Sequence, residues 1–186
     1  MSKDYFQMRE DTKYSSVPDV TFHTRVRDES VGGDNPYKWE QVKTDELFKD
    51  KKVLMFSLPG AFTPTCSTYQ LPDYEKLSKE FKKRGIDEIY CVSVNDSFVM
   101  NKWAKDLGVK NIKMIPDGSG KFTEGMRMMV RKDNLGFGPR SWRYASIVED
   151  GKITQMFEEP GKMNDCPDDP YGESSPQNVL KKMKKL

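Results

Sequence analysis

The sequence is poor in the residues that usually build metal sites and disulfide frameworks. Its 186 residues include a single histidine, His23, and three cysteines, Cys66, Cys91 and Cys166. An odd number of widely spaced cysteines excludes the framework of a small secreted domain and indicates a reducing compartment. A zinc site made of these three cysteines and His23 is an alternative, but structural zinc sites draw cysteines from closely spaced pairs, which the chain lacks.

Long apolar runs and an excess of one charge are also missing. No stretch reaches the roughly 18 apolar residues of a membrane span, and the N-terminus, MSKDYFQMREDTKY, carries acidic residues where a signal peptide has an apolar core. The 31 lysines and arginines are balanced by 29 acidic residues, so nothing predicts a nucleic-acid-binding face. We therefore expect a cytoplasmic protein with neither nucleic acid nor membrane as a partner.

The pattern along the chain predicts one domain. Residues 1–16 are polar and aperiodic and are interpreted as an extension, while residues 17–186 form the domain. KVLMFSL and EIYCVSVND are typical of buried strands, and the segment between them predicts a helix with a kink at Pro72. Thr44 is expected to cap a short helix over DELFK.

Later segments complete the expected architecture. SFVMNKWAKDLG predicts a second helix and IKMIPD a third strand, so the core is a parallel βαβ arrangement. RYASIVEDGKITQMF contains two alternating segments joined by Asp150-Gly151, a strong hairpin signal. A hairpin added to a βαβ core indicates an α/β thioredoxin-like fold, with a central mixed sheet flanked by helices.

Cys66 occupies an unusual position in LPGAFTPTCSTYQLPDY. It follows a predicted buried strand and falls in the first turn of the next helix, where Pro64 needs no amide donor. The free amides and the dipole of a helix start favour an anion, which for cysteine is the thiolate. Because nucleophilicity falls as a thiol becomes more acidic, a thiol enzyme also needs neighbours that stabilise the transition state.

PGAFTPTC, residues 59–66, resembles the active-site signature of the type II peroxiredoxins, and CVSVND, NLGFGPRSWRY and FEEPG resemble later blocks of that subfamily. The resemblance implies a thiol-dependent peroxidase for hydrogen peroxide and alkyl hydroperoxides, with no bound cofactor or metal. It makes Cys66 the peroxidatic thiolate and Thr63 a hydrogen-bond donor to thiolate and peroxide. It makes Arg140 the cation that holds both reacting groups, and Pro59 the shield of the sulfenic acid.

Several assignments stay open at this stage. Arg143 is a rival for Arg140, disfavoured because it is expected to lie inside the following strand. Cys91 is expected in the core of a central strand, and Cys166 on an accessible, proline-rich loop, where it is a candidate resolving cysteine. His23 would allow a Cys–His hydrolase, although a surface histidine on a strand is the simpler interpretation.

The reductant is the least constrained prediction. A disulfide needs Cα atoms within about 7 Å, and neither Cys91 nor Cys166 is expected to reach Cys66. We therefore expect glutathione to attack the sulfenic acid and glutaredoxin to complete the cycle, with a Cys66–Cys166 disulfide recycled by thioredoxin as the alternative. The family resemblance also implies a homodimer.

Three other functions are alternatives. A disulfide oxidoreductase of the same fold would need a second cysteine three residues after Cys66, and Tyr69 stands there. A redox-sensing or chaperone module without turnover would not need the Thr63, Cys66 and Arg140 set. Phosphate or nucleotide binding would depend on DGSGK, residues 117–121. This segment lacks the spacing of a phosphate-binding loop and is interpreted as a turn before a helix.

Overall fold

The computed structural model describes residues 15–183. The strands are β1 Thr21–Arg27, β2 Tyr37–Lys43, β3 Lys52–Ser57, β4 Glu88–Ser93, β5 Lys113–Pro116, β6 Met129–Arg131, β7 Pro139–Ser141, β8 Tyr144–Glu149 and β9 Lys152–Glu158. The α-helices are α1 Thr44–Phe48, α2 Leu71–Lys83, α3 Ser97–Asp106, α4 Lys121–Gly125 and α5 Pro176–Lys182. Short 3₁₀ turns cover Glu29–Val31 and Asp133–Leu135, and a π-helical turn covers Cys66–Gln70.

A mixed five-stranded sheet organises the domain, in the order β5-β4-β3-β8-β9. Strands β3, β4 and β5 are parallel, whereas β8 runs antiparallel to β3 and β9 antiparallel to β8. The predicted α/β thioredoxin-like architecture, with a parallel βαβ core and an added hairpin, is confirmed. None of the helices within residues 15–183 has both the length and the apolar character to cross a membrane.

The two faces of the sheet carry separate apolar clusters because side chains alternate along each strand. Leu54 and Phe56 of β3 belong to one cluster, together with Cys66. Val53 and Met55 point to the other face and belong to the second cluster, which also contains Cys166. All four β3 side chains are fully buried, which explains the continuous apolar run in the sequence.

Local predictions about turns have mixed outcomes. The segment 117–121 is a turn before helix α4, as predicted, and the buried Asp117 carboxylate accepts hydrogen bonds from the N–H groups of Phe122 and Thr123. The prediction that Thr44 caps a helix is wrong: Thr44 is the first helical residue, and its hydroxyl donates to the carbonyl of Pro18 at 2.8 Å. The cap position belongs to Lys43.

The ends of the chain bear on the domain boundary. Residues 1–14 of the predicted extension lie outside the described residues, and so do residues 184–186 of the predicted domain. Ser16, the last residue of that extension, pairs with Lys152 in an isolated antiparallel bridge. The residues just before Val17 are therefore already paired with the edge strand β9.

The β8–β9 hairpin closes on Asp150-Gly151, as the sequence predicts. Both residues have positive φ, 48° and 77°, the combination of a type I′ turn, which matches the twist of the two strands. Asp150 also accepts a hydrogen bond from the N–H of Asp50 at 2.8 Å. The turn is thereby tied to the start of β3.

We predict that Gly151→Ala lowers the free energy of unfolding by about 1 kcal/mol, because a Cβ disfavours the left-handed backbone. A Cβ at this position meets no atom within 4 Å, so the loss is conformational. Gly172→Ala is the matched control, since its Cβ also meets open space and its φ is not left-handed. Urea unfolding of both variants measures the difference, and equal losses would contradict the prediction.

Candidate active site

The loop that follows β3 is a tight turn held by the neighbouring strand. Pro59 and Gly60 are buried, and Phe62 has a positive φ of 65°. The N–H of Ala61 donates to Oδ1 of Asn95 at 3.0 Å. Asn95 follows β4, so the carboxyl ends of two parallel strands meet here, the usual place for a site in an α/β sheet.

Cys66 lies in the first turn of the helix that leaves this loop, as predicted. Helical residues begin at Pro64, and the N–H of Ser67 donates to the carbonyl of Thr63 at 3.0 Å. Nε1 of Trp103 donates to the hydroxyl of Ser67 at 2.9 Å. The helix start is therefore anchored beside Cys66, whose own side chain is fully buried.

The irregularity expected at Pro72 takes the form of a π-helical turn. In this turn the N–H of Leu71 bonds to the carbonyl of Cys66, five residues earlier. Pro72 has no N–H to bond four residues back, so the helix cannot take its normal pattern at this point. The wider turn includes both Cys66 and Gln70, whose side chains are fully buried.

The guanidinium of Arg143 contacts Cys66. Its NH1 group lies 3.4 Å from Sγ and also donates to Oε1 of Gln70. NH2 donates to Oδ1 of Asp169 at 2.5 Å. The Arg143 side chain is only 2% exposed, and a buried cation of this kind is stable only when negative or polar partners surround it.

The electrostatic partners of Arg143 offset the effect of burial on its pKa. Burial lowers the pKa of Arg143, but the charges of Cys66 and Asp169 outweigh it, and the pKa lies above the ordinary value. Burial raises the pKa of Asp169, but Arg143 and a hydrogen bond with Thr65 leave it below the ordinary value. The arginine therefore stays positive and Asp169 negative around the sulfur atom.

Strand register explains why Arg143 is placed at the sulfur. Ser57, the last residue of β3, pairs with Tyr144, the first residue of β8. Arg143 immediately precedes Tyr144 and therefore lies beside the loop that leaves β3. It sits between β7 and β8, so the expectation that Arg143 lies inside a strand is wrong.

Arg140, the residue predicted to contact the thiolate, is instead the one inside a strand. It belongs to β7, opposite Val130 of β6, and its NH1 donates to the carbonyl of Pro59 at 3.3 Å. A Cβ on Gly60 would lie 2.5 Å from that NH1, so a side chain at this position would have to displace the guanidinium. The structure thus brings Arg143, not Arg140, to Cys66, while Arg140 supports the loop and is only partly buried.

Thr63 and Pro59 both line the cavity beside the site, as does Arg143. The Thr63 hydroxyl donates to the carbonyl of Gly60 at 2.8 Å, whereas the family resemblance implies a hydrogen bond to Cys66. Pro59 is buried at the base of the loop. The hydroxyl can accept a further hydrogen bond, since one donor and two acceptor sites are available.

Two residues that hold Arg143 were missed by the sequence analysis. Gln70 is four positions after Cys66, a spacing that places both side chains on one helix face, so this partner was detectable. Asp169 is far from both Cys66 and Arg143 in sequence. No local pattern identifies it, because only the path of the chain after β9 brings it to the guanidinium.

The other two cysteines have different surroundings. Cys91 is fully buried in β4, as predicted, and burial, with the nearby Cys66, raises the pKa of its thiol well above the ordinary value. Cys166 is 7% exposed, so the prediction of an accessible thiol is wrong: its loop packs against the apolar cluster of Met55 and Trp142. All three cysteines are free thiols.

The structure gives no support to the zinc alternative. Within residues 15–183 no three His, Cys, Asp or Glu side chains are grouped as metal ligands would be. His23 is exposed on β1, which confirms the interpretation as a surface histidine on a strand. It is therefore not placed to act as a base toward Cys66.

Comparisons with known proteins identify the family of this chain. A family model described as Redoxin matches residues 15–171. A peroxiredoxin of Rhizobium etli is 62% identical over 173 residues, which cover 93% of this chain and 97% of that one. A hybrid peroxiredoxin of Haemophilus influenzae is 52% identical over 165 residues, or 89% of this chain and 63% of that protein.

Solved structures show the same relationship. The Plasmodium falciparum antioxidant protein, a 1-Cys peroxiredoxin, superposes with a TM-score of 0.83 at 40% identity, covering 90% of this chain and 97% of that chain. The reduced Prx3 of Vibrio vulnificus in complex with hydrogen peroxide gives a TM-score of 0.75 at 33% identity, covering 90% and 92%. The chain therefore belongs to the redoxin family and is a peroxiredoxin of the AhpC/TSA superfamily, a thiol-dependent peroxidase.

Proposed function

We propose that Cys66 is the thiolate that reduces hydrogen peroxide and alkyl hydroperoxides. Its sulfur attacks the terminal peroxide oxygen, so that an S–O bond forms while the O–O bond breaks. The sulfur is oxidised to a sulfenic acid, and the other oxygen leaves as hydroxide or alkoxide and takes a proton to become water or an alcohol. The observation that carries the proposal is the contact of Arg143 NH1 with Cys66 Sγ at 3.4 Å.

Arg143 supplies the electrostatic stabilisation in this proposal. A planar guanidinium can hold the thiolate with one nitrogen and the peroxide with another, and it gains strength as negative charge grows on the leaving oxygen. Nε of Arg143 and Nε2 of Gln70 are buried without partners among residues 15–183. A buried donor without a hydrogen bond costs free energy. A bound peroxide oxygen would accept a hydrogen bond from one of these two nitrogens.

The remaining predicted site residues act on the pocket rather than on the sulfur. Pro59 and Thr63 line the cavity beside Arg143, and the Thr63 hydroxyl can accept a hydrogen bond from the peroxide. Arg140 holds the carbonyl of Pro59 and so positions the loop. This division gives the direct contact with the sulfur to Arg143, while Arg140 interacts with the charge of Cys66 without contacting it.

Cys66→Ser is expected to abolish peroxide consumption, because a serine hydroxyl is not an anion at neutral pH and cannot form the sulfenic acid. Peroxide loss in the presence of excess thiol measures the activity. Cys91→Ser is the matched control and should retain turnover. Turnover that persists in Cys66→Ser would move the reaction elsewhere, and a wild-type protein oxidised once without turnover would favour a redox-sensing module.

Arg143→Lys is expected to raise the barrier of the reaction with peroxide by roughly 2 to 4 kcal/mol, the size of losing one preorganised donor. Lysine keeps the charge but cannot hold two oxygen or sulfur atoms in a plane. Arg140→Lys should lose much less, since the bonds to the Pro59 and Phe137 carbonyls weaken while the positive charge near Cys66 is kept. Stopped-flow rates of Cys66 oxidation compare the two variants, and a larger loss in Arg140→Lys would restore the role first predicted for it.

We further propose that glutathione reduces the sulfenic acid and that glutaredoxin, or a second glutathione, releases the enzyme. The positions of the other two cysteines support this route. Cys91 is fixed in a central strand, and Cys166, although it lines the cavity beside Arg143, is only 7% exposed and packs in the second apolar cluster. A small external thiol needs no rearrangement of either, and the related Plasmodium protein is itself a 1-Cys peroxiredoxin.

The expected product of one equivalent of peroxide followed by glutathione is a mixed disulfide on Cys66. Intact mass and peptide mapping identify it, and it should form to the same extent in Cys166→Ser, the matched control. A rapid Cys66–Cys166 disulfide that prevents the glutathione adduct would contradict the proposal. That result would support the thioredoxin-recycled alternative.

The homodimer, the cytoplasmic location and the lack of a bound cofactor stay predictions. Two aromatic side chains, Phe62 in the loop before Cys66 and Phe98 in helix α3, are 51% and 50% exposed. Their exposure is compatible with a dimer face of the kind that the family resemblance implies. We keep the dimer as part of the proposal on that basis.

A further inference from the structure

A cavity of about 380 Å³ opens beside Arg143, within the range of roughly 300–1,000 Å³ that is common for small-molecule sites. This volume is far larger than hydrogen peroxide needs. Most of its wall is apolar and is formed by Pro59, Pro64, Leu135, Phe137 and Pro167. The cavity can therefore accept the hydrocarbon body of an organic hydroperoxide whose peroxide group reaches Arg143.

Lys132 also lines this cavity and is unusually buried for a lysine, at 3% exposed. Lysines are almost never this buried unless their charge is paired. No salt bridge or side-chain hydrogen bond joins its ammonium group to another of residues 15–183. Its nearest aromatic neighbour is the ring of Trp142, with Nζ 5.7 Å from the centroid.

The acidic residues of the same cavity do not remove the need for a partner. Asp169 is committed to Arg143 at 2.5 Å, although the charge of Lys132 contributes to lowering its pKa. Asp168 is exposed and lies at the solvent side. The cavity thus has acidic groups at its exposed side and one cation on a nearly buried side chain, Lys132, whose ammonium group forms no ion pair with them and keeps access to the cavity.

We infer that this cavity binds organic hydroperoxides whose hydrocarbon body carries a carboxylate, such as the hydroperoxides of unsaturated fatty acids, and that Lys132 pairs with that carboxylate. The apolar wall buries the chain, and Arg143 receives the peroxide group. The inference rests on the proposed role of Cys66 as the attacking thiolate. Lys132 is then a specificity-determining residue, which distinguishes anionic from neutral hydroperoxides.

The reaction with such a substrate balances without a further reactant. Cys66 Sγ forms a bond with the terminal oxygen as the O–O bond breaks, the sulfur becomes a sulfenic acid, and the fatty-acid alkoxide takes a proton to become the hydroxy acid. The carboxylate takes no part in the bond changes. Its pairing with Lys132 therefore acts on binding and orientation.

The test measures single-turnover oxidation of reduced protein, without glutathione, by linoleic acid hydroperoxide and by its methyl ester, both below their aggregation concentrations. Quenched-flow samples are analysed by intact mass for the Cys66 sulfenic acid. We expect the acid to react about tenfold faster than the ester in the wild type, as one partly buried charge pair would provide. The ratio should fall to about one in Lys132→Gln and be kept in Lys132→Arg.

Arg131→Gln is the matched control, because Arg131 is the exposed neighbour that pairs with Asp133 and does not line the cavity. It should keep the wild-type ratio. The ester rate within each variant shows whether the thiol is still competent, so that misfolding is not mistaken for lost selectivity. A ratio of about one in the wild type, or an unchanged ratio in Lys132→Gln, overturns the inference.

Failure of the proposed function can be distinguished from failure of this inference alone. If hydrogen peroxide itself leaves Cys66 of the wild type unoxidised, the proposed function fails and the inference with it. If hydrogen peroxide reacts normally, the acid and ester rates are equal, and Lys132→Gln slows only the later reaction with glutathione, the inference is overturned. In that case the Lys132 ammonium would pair with a carboxylate of glutathione.

Discussion

The contact between the Arg143 guanidinium and the Cys66 sulfur is the interaction on which the site depends. Both groups are almost completely buried, so each would be destabilising without the other. A buried arginine must be paired, and a thiolate in the same place needs a cation and hydrogen-bond donors. Gln70 and Asp169 complete the set of partners that keeps the arginine charged and in position.

The sheet makes this contact possible by joining two distant segments. The antiparallel pair of β3 and β8 sets Ser57 opposite Tyr144, so the loop that leaves one strand lies beside the residue that enters the other. Hydroxyl contacts reinforce the junction, since Ser57 is hydrogen-bonded to Ser141 at 2.8 Å and to the carbonyl of Val92 at 2.9 Å. A shift of register would move Arg143 away from the sulfur and turn its side chain to the other face.

The same segments also form the cavity beside the site. The β6–β7 connection supplies Lys132 and Phe137, the loop after β9 supplies Cys166 and Asp169, and the loop after β3 supplies Pro59. Three segments far apart in sequence therefore meet at one end of the sheet. Cys66 and the residues proposed to select the substrate are thus positioned by the same strand ends.

Sequence alone determined the features that depend on neighbouring residues: the buried strands, the Asp150-Gly151 turn and the place of Cys66 at a helix start. These follow from local backbone preferences and apolar periodicity. Only the tertiary structure decided which arginine meets the sulfur and how buried Cys166 is. Arg140 and Arg143 are three residues apart in one short segment, and strand pairing with a distant part of the chain, which no local pattern encodes, separates their roles.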